Sequence, residues 1–181
     1  MARSTTSMRN AVSALLLVLF CGTAFAAPPR PRLGESADPG RIAAWDILPG
    51  RDGSNLPPGH GSVREGQAIF AARCAMCHGE AGAGIPADPL TGGVGSLTTP
   101  HPLRTVASYW PYATTLFGYI RAAMPINQPR SLTADEAYAL CAYILSVDKI
   151  VSGDAVLDET NLAAVKMPNR DGFRAVWPRT R

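Results

Sequence analysis

After its first 26 residues this 181-residue chain has no apolar run approaching the roughly 20 residues that span a bilayer. It has no internal repeat, and no stretch alternates apolar and polar side chains well enough to mark a strand. These absences exclude a membrane-spanning mature chain, a repeat array and a β-rich architecture. An excess of charge is missing too. Seventeen Lys and Arg against 14 Asp and Glu give +3, and the first 26 residues hold two arginines and no acid, so the remainder carries +1. A nearly neutral chain has no electrostatic hold on nucleic acid or an anionic membrane. Cysteine is scarce: Cys21 lies in the N-terminal apolar run and Cys141 stands alone, which leaves no disulfide framework. C-x-x-C occurs once and H-x-x-x-H not at all, so a structural zinc site would lack its second ligand pair.

What the chain does have is Cys74-Ala75-Met76-Cys77-His78. Two thiols one helical turn apart can both add to the vinyl groups of one haem, with the following imidazole placed to ligate the iron. The run therefore points to one covalently bound haem c, held by Cys74 and Cys77 and ligated by His78. Cys141, in a later helical pattern, reads as a small buried apolar residue.

The N-terminus reads as a cleavable secretory signal over residues 1–26: Arg3 and Arg9, a short apolar stretch from Ala11 to Phe20, then Ala24-Phe25-Ala26. Export to the periplasm is the expectation. Residues 27–62 form an arm dense in Pro and Gly, with one apolar island from Ile42 to Leu48, and such composition is not expected to build regular elements. Trp45 and Ile47 are expected to cap the neighbouring core or to dock on a partner, with the first preferred. A domain over 63–147 follows, and 148–181 is a C-terminal extension with little periodicity.

Three helical patterns define that domain. The first begins near Val63 and ends in the haem motif. Gly79, Gly82 and Gly84 then open a loop to Pro86, Pro89 and Leu90, which must pass beneath the haem on the His78 side. A ligating imidazole needs an acceptor for its other ring nitrogen, and the Pro89 carbonyl is the expected one. The second pattern starts near Pro111 and ends at Met124-Pro125. The third opens with a capping box, Thr133-Ala134-Asp135-Glu136. The fold class is all-α: three principal helices around one haem, with a long arm and tail.

The second axial position falls to a methionine or a further histidine. Met76 lies inside the attachment turn, on the same side as His78. Met124 stands 46 residues after His78, ahead of Pro125, which stiffens its loop. Met167, before Pro168, has similar local chemistry but follows the last helix, so Met124 is preferred. His60 and His101 read as loop residues. Trp110 and Tyr112 flank Pro111 and are candidate donors to haem propionates, or plain core aromatics.

From Val63 to Val147 this pattern resembles the class I cytochromes c. The resemblance implies a three-helix fold in which His78 and Met124 ligate iron and the first and last helices cross near Gly66, Phe70 and Tyr143. A closer likeness lies in Trp45-Asp46-Ile47, Gly53 to Gly61, Gly92 to Pro102, Val106 to Phe117, and Val165 to Phe173. These stretches are similar to the cytochrome subunit of Sox-type sulfur or sulfite dehydrogenases, which partners a molybdenum-cofactor subunit. Some members of that family carry two haems, whereas this chain has one C-x-x-C-H. The resemblance implies a periplasmic electron-transfer subunit that takes single electrons from the molybdenum enzyme and passes them to a downstream cytochrome c or terminal oxidase. Such a chain is unlike a catalyst on its own, since no acid, base or nucleophile is needed. Two other classes remain: a freely diffusing carrier between respiratory complexes, and an enzyme or gas sensor with an open iron.

Overall fold

Each of the two longest helices that cross in this protein begins at a side-chain cap. In the computed structural model, which describes residues 34–174 and Val176, β1 (His60–Ser62) leads into α2 (Val63–Arg73), after an earlier short helix, α1 (Pro39–Trp45). Ser62 Oγ accepts from Glu65 N–H while the Glu65 carboxylate accepts from Ser62 N–H at 2.8 Å, a reciprocal cap that the sequence reading did not single out. The predicted cap at Thr133 forms in the same way: Glu136 N–H donates to Thr133 Oγ1 at 3.2 Å and Thr133 N–H to the Glu136 carboxylate at 2.8 Å. It starts α6 (Ala134–Val147). Between them lie α3 (Ala75–His78), α4 (Val106–Tyr109) and α5 (Ala113–Ala123), and the chain ends with β2 (Val156–Asp158) and a 3-10 turn over Leu162–Ala164.

Helices α2 and α6 pack face to face. Gly66 permits it, because a Cβ there would collide with the Ala139 carbonyl oxygen and lie 2.8 Å from Tyr143 Cβ. One turn along, the Phe70 and Tyr143 rings meet at 5.2 Å. Helix α5 closes the other side of α6 through Leu116, Phe117 and Ile120, with Phe117 and Tyr138 rings 4.4 Å apart. Cys141 is fully buried at the centre, and burial pushes its thiol pKa well up, as expected for a cysteine used as a small hydrophobe.

Three features differ from the sequence reading. The second helix starts at Ala113 rather than Pro111, because Trp110 and Tyr112 are extended, and α4 is an additional turn capped by Thr105 and Ser108. A two-stranded antiparallel sheet exists, with His60 opposite Asp158 and Ser62 opposite Val156. Its strands are three residues each, too short to show alternation. The arm contains α1, and Trp45 is 74% exposed, so it does not cap the core; the Arg130 guanidinium sits 4.9 Å from its ring. Leu48 and Pro49 instead lie against Gly118 of α5. The tail contributes Leu157, Leu162, Val165 and Met167 to the core. From Pro39 onward the described residues make one compact unit. The expected signal peptide and residues 27–33 lie outside the described residues.

Candidate functional site

Cys74 is the joint between α2 and α3. Its N–H still bonds the Phe70 carbonyl at 2.9 Å, but its backbone (φ −122°, ψ −37°) breaks the helix there and starts a new turn. The Cys74 carbonyl then accepts from both Cys77 N–H (3.1 Å) and His78 N–H (3.0 Å), which winds the two cysteines and the histidine onto a single turn. Gly79 ends that turn at φ +71°, and a side chain there would collide with the Gly84 carbonyl oxygen. A glycine is required at this point because the chain reverses onto itself.

The returning loop is bonded to the motif it passes. Gly84 N–H donates to the His78 carbonyl (2.7 Å) and Ala87 N–H to the Cys77 carbonyl (2.8 Å), while Leu90 N–H bonds Gly82 (2.8 Å). These bonds bring the Asp88 carbonyl to 3.3 Å from His78 Nδ1. The acceptor is thus Asp88, one residue before the expected Pro89. The reason is the loop's register: Gly84 and Ala87 bond back to the attachment turn, and that sets which carbonyl faces the ring. A carbonyl only accepts, so this bond puts the proton on Nδ1 and leaves a lone pair on Nε2 for a metal. The only sequence sign of Asp88 was its place before Pro89.

Further contacts brace the loop. Gly92 N–H donates to both Asp148 carboxylate oxygens at 2.9 Å, Thr105 Oγ1 donates to the Gly92 carbonyl at 2.7 Å, and Val106 N–H bonds Leu90 at 3.0 Å.

Cys74, Cys77, His78, Pro89, Trp110, Tyr112 and Met124 are all half-buried, in contrast to the closed core behind them. Cys74 and Cys77 are both free thiols, and burial raises the Cys74 pKa. The donor set suits covalent haem: two unpaired thiols on one turn, an oriented imidazole beside them, and apolar side chains ready to be covered. Met124 caps the C-terminus of α5, its N–H bonded to the Ile120 carbonyl at 3.0 Å, and it opens the loop before α6. Met167 is 3% exposed and belongs to the core, and Met76 is 83% exposed. His60 and His101 are exposed loop or edge residues. Trp110 packs edge-on to Tyr119 at 5.6 Å, and Arg170 lies 5.4 Å from the Tyr112 ring.

A turn that presents two thiols and an imidazole on an all-α domain defines a c-type cytochrome. The family model described as Cytochrome c matches residues 63–148. Among solved structures, the chain is similar to one from the crystal structure of the sulfane dehydrogenase SoxCD from Paracoccus pantotrophus. That match has a TM-score of 0.74 and 41% identity, and covers 80% of this chain and 72% of that one. No curated protein matches. The chain belongs to the class I c-type cytochromes, related to those of the Sox system. It binds haem c covalently through Cys74 and Cys77 and serves haem-based electron transfer. Among the described residues no helix is long and apolar enough to cross a membrane.

Proposed function

We propose that this chain is the single-haem electron-transfer subunit of a molybdenum-cofactor dehydrogenase that oxidises a sulfur compound in the periplasm, acting once residues 1–26 have been removed. The observation that carries this reading is the reach of the likeness to the sulfane dehydrogenase structure. It covers 80% of the chain, while the general cytochrome c model stops at 63–148. The likeness therefore extends well beyond the haem domain, and a simple carrier has no need of the added chain.

In this proposal His78 and Met124 would hold the iron, and the arm, haem domain and extension would span 27–62, 63–147 and 148–181. When bound, the haem supplies one-electron exchange between ferric and ferrous iron. The chain's own part is to hold and tune. Cys74 and Cys77 fix the group to α3, and the Asp88 carbonyl orients the His78 ring. Met124 would supply a thioether sulfur to the iron, which would leave no open position for water or small ligands. The acceptor is a downstream cytochrome c or terminal oxidase.

Co-expression with the dehydrogenase subunit tests the proposal. A complex should co-purify, and adding the sulfur substrate should reduce the haem. A chain that elutes alone, and whose electron-transfer rates survive loss of residues 27–60, would instead be a freely diffusing carrier. Ready carbon monoxide binding to the reduced protein without methionine displacement would indicate an open iron site.

A further inference from the structure

We propose that Asp148 is a positioning residue for the iron centre: its carboxylate, at the end of α6, sets how closely the Asp88 carbonyl approaches His78 Nδ1, and through that bond the reduction potential. The inference rests on His78 as an iron ligand, part of the proposed function, and is independent of the electron donor.

Asp148 stands where a carboxylate is otherwise disfavoured. It is the C-cap of the 14-residue α6, whose last carbonyls present the negative end of the helix. What offsets this is the Gly92 N–H, which donates to both Asp148 carboxylate oxygens at 2.9 Å. Both residues are half-buried, so the bond is partly shielded from water.

That bond locates a loop whose other hydrogen bonds run largely within itself. Leu90 N–H bonds Gly82 at 2.8 Å and Thr91 Oγ1 donates to the Ala81 carbonyl at 2.9 Å, which shapes residues 81–91 from within. The Leu90 and Gly92 carbonyls accept from Val106 N–H (3.0 Å) and Thr105 Oγ1 (2.7 Å), but these donors start α4, the element that the same loop leads into. Asp148 differs because it belongs to α6. Helix α6 packs on α2 at Gly66, and α2 ends at the attachment turn. A circuit thus closes from His78 through α2 and α6 to Asp148, then through Gly92 back to Asp88.

Within that circuit Gly84 and Ala87 choose the carbonyl that faces the ring, and Asp148 holds its distance. The distance has room to change. At 3.3 Å the contact is longer than the about 2.9–3.0 Å usual for such a bond, and Asp88 is exposed, so water takes its place once the loop drifts. A fixed acceptor at Nδ1 raises the basicity of the ligating nitrogen and favours ferric iron, so loosening it raises the potential.

The test follows the His78 Nδ1 proton by NMR in the haem-loaded chain, together with the midpoint potential. In Asp148→Ala that proton should exchange faster with water and the potential should rise. Asp148→Asn, which keeps an acceptor oxygen without the charge, should stay closer to the parent on both counts. Asp154→Ala, which removes an exposed carboxylate beyond α6, should match the parent. No change in Asp148→Ala would overturn the proposal. So would an equal rise in Asp148→Asn, which would make it an effect of charge alone. If Asp148→Ala does not accumulate with haem, hydrogen exchange of the parent replaces it: the Gly92 amide and the Nδ1 proton should open together. An Nδ1 proton still protected after Gly92 has exchanged would refute the link. A parent without hyperfine-shifted His78 ring signals would instead fail the His78 ligation itself, and the proposal with it.

Discussion

Gly66 of α2 and Ala139 of α6 meet backbone to backbone: the space a Cβ would need at residue 66 is already taken by the Ala139 carbonyl, with its carbon 2.5 Å away. The crossing of the first and last helices depends on that missing methyl. It also positions the end of α2, and with it Cys74. Gly66→Ala should force the helices apart and cost about 1–3 kcal/mol, as overpacking of a close contact does. A melt followed by far-UV ellipticity checks it, and an unchanged midpoint would show that the helices slide freely.

Met124 and Met167 separate by what their loss should do. Met124→Ala should abolish the near-infrared methionine-to-iron band and lower the reduction potential, with little change in folding. Met167→Ala removes a side chain that is 3% exposed, so the band should persist while stability falls by about 2–5 kcal/mol. The opposite pattern would transfer the ligand role to Met167.

Thiol chemistry reads out the covalent attachment. With haem attached through Cys74 and Cys77, and with residues 1–26 and their Cys21 removed as proposed, Cys141 would be the sole remaining thiol. Its complete burial and raised pKa predict no alkylation in the native state and a single addition after denaturation. Mass spectrometry finding three additions on the denatured chain would mean that no haem is bound through sulfur.

Acid should unfold the protein in a defined window. Hydrogen bonds from Ser62 hold the Glu65 carboxyl below its ordinary value of 4.5, and those from Thr160, its hydroxyl foremost, hold Asp158 below 3.8. A carboxyl with a lower pKa folded than unfolded binds its proton more tightly in the unfolded chain. Its contribution is thus complete above the unfolded value and lost as pH falls through the folded one. The melting temperature should be flat between about pH 7 and 5 and fall below about 4.5. In Glu65→Gln it should be lower near neutrality and converge with the parent in acid; parallel curves would remove Glu65 from the account.

Trp45 offers a test of the arm. With its ring 74% exposed and the Arg130 guanidinium 4.9 Å from it, Trp45→Ala should change stability by about 1 kcal/mol or less. If the arm recognises the dehydrogenase, the same change should weaken co-purification of the two subunits. Equal binding by the variant would confine the arm to its contact with Gly118.

Features set by neighbours a few residues apart can be read from the chain alone. Cys74, Cys77 and His78 share a turn because of their spacing, the Thr133 cap bonds to a residue three positions on, and the periodicity of α2, α5 and α6 follows from one apolar face each. Such features need no distant partner, so they were legible without one. Other features exist only once distant segments meet. His60 to Ser62 become a strand only because Val156 to Asp158 come back beside them, nearly a hundred residues later. Asp88 rather than Pro89 faces the His78 ring because Gly84 and Ala87 bond back to the attachment turn. Met167 is drawn into the core and Trp45 left outside it, although both sit in segments of similar weak periodicity. In each case the outcome depends on which surfaces chain closure brings together, and that balance of burial against long-range closure is written nowhere in the local pattern.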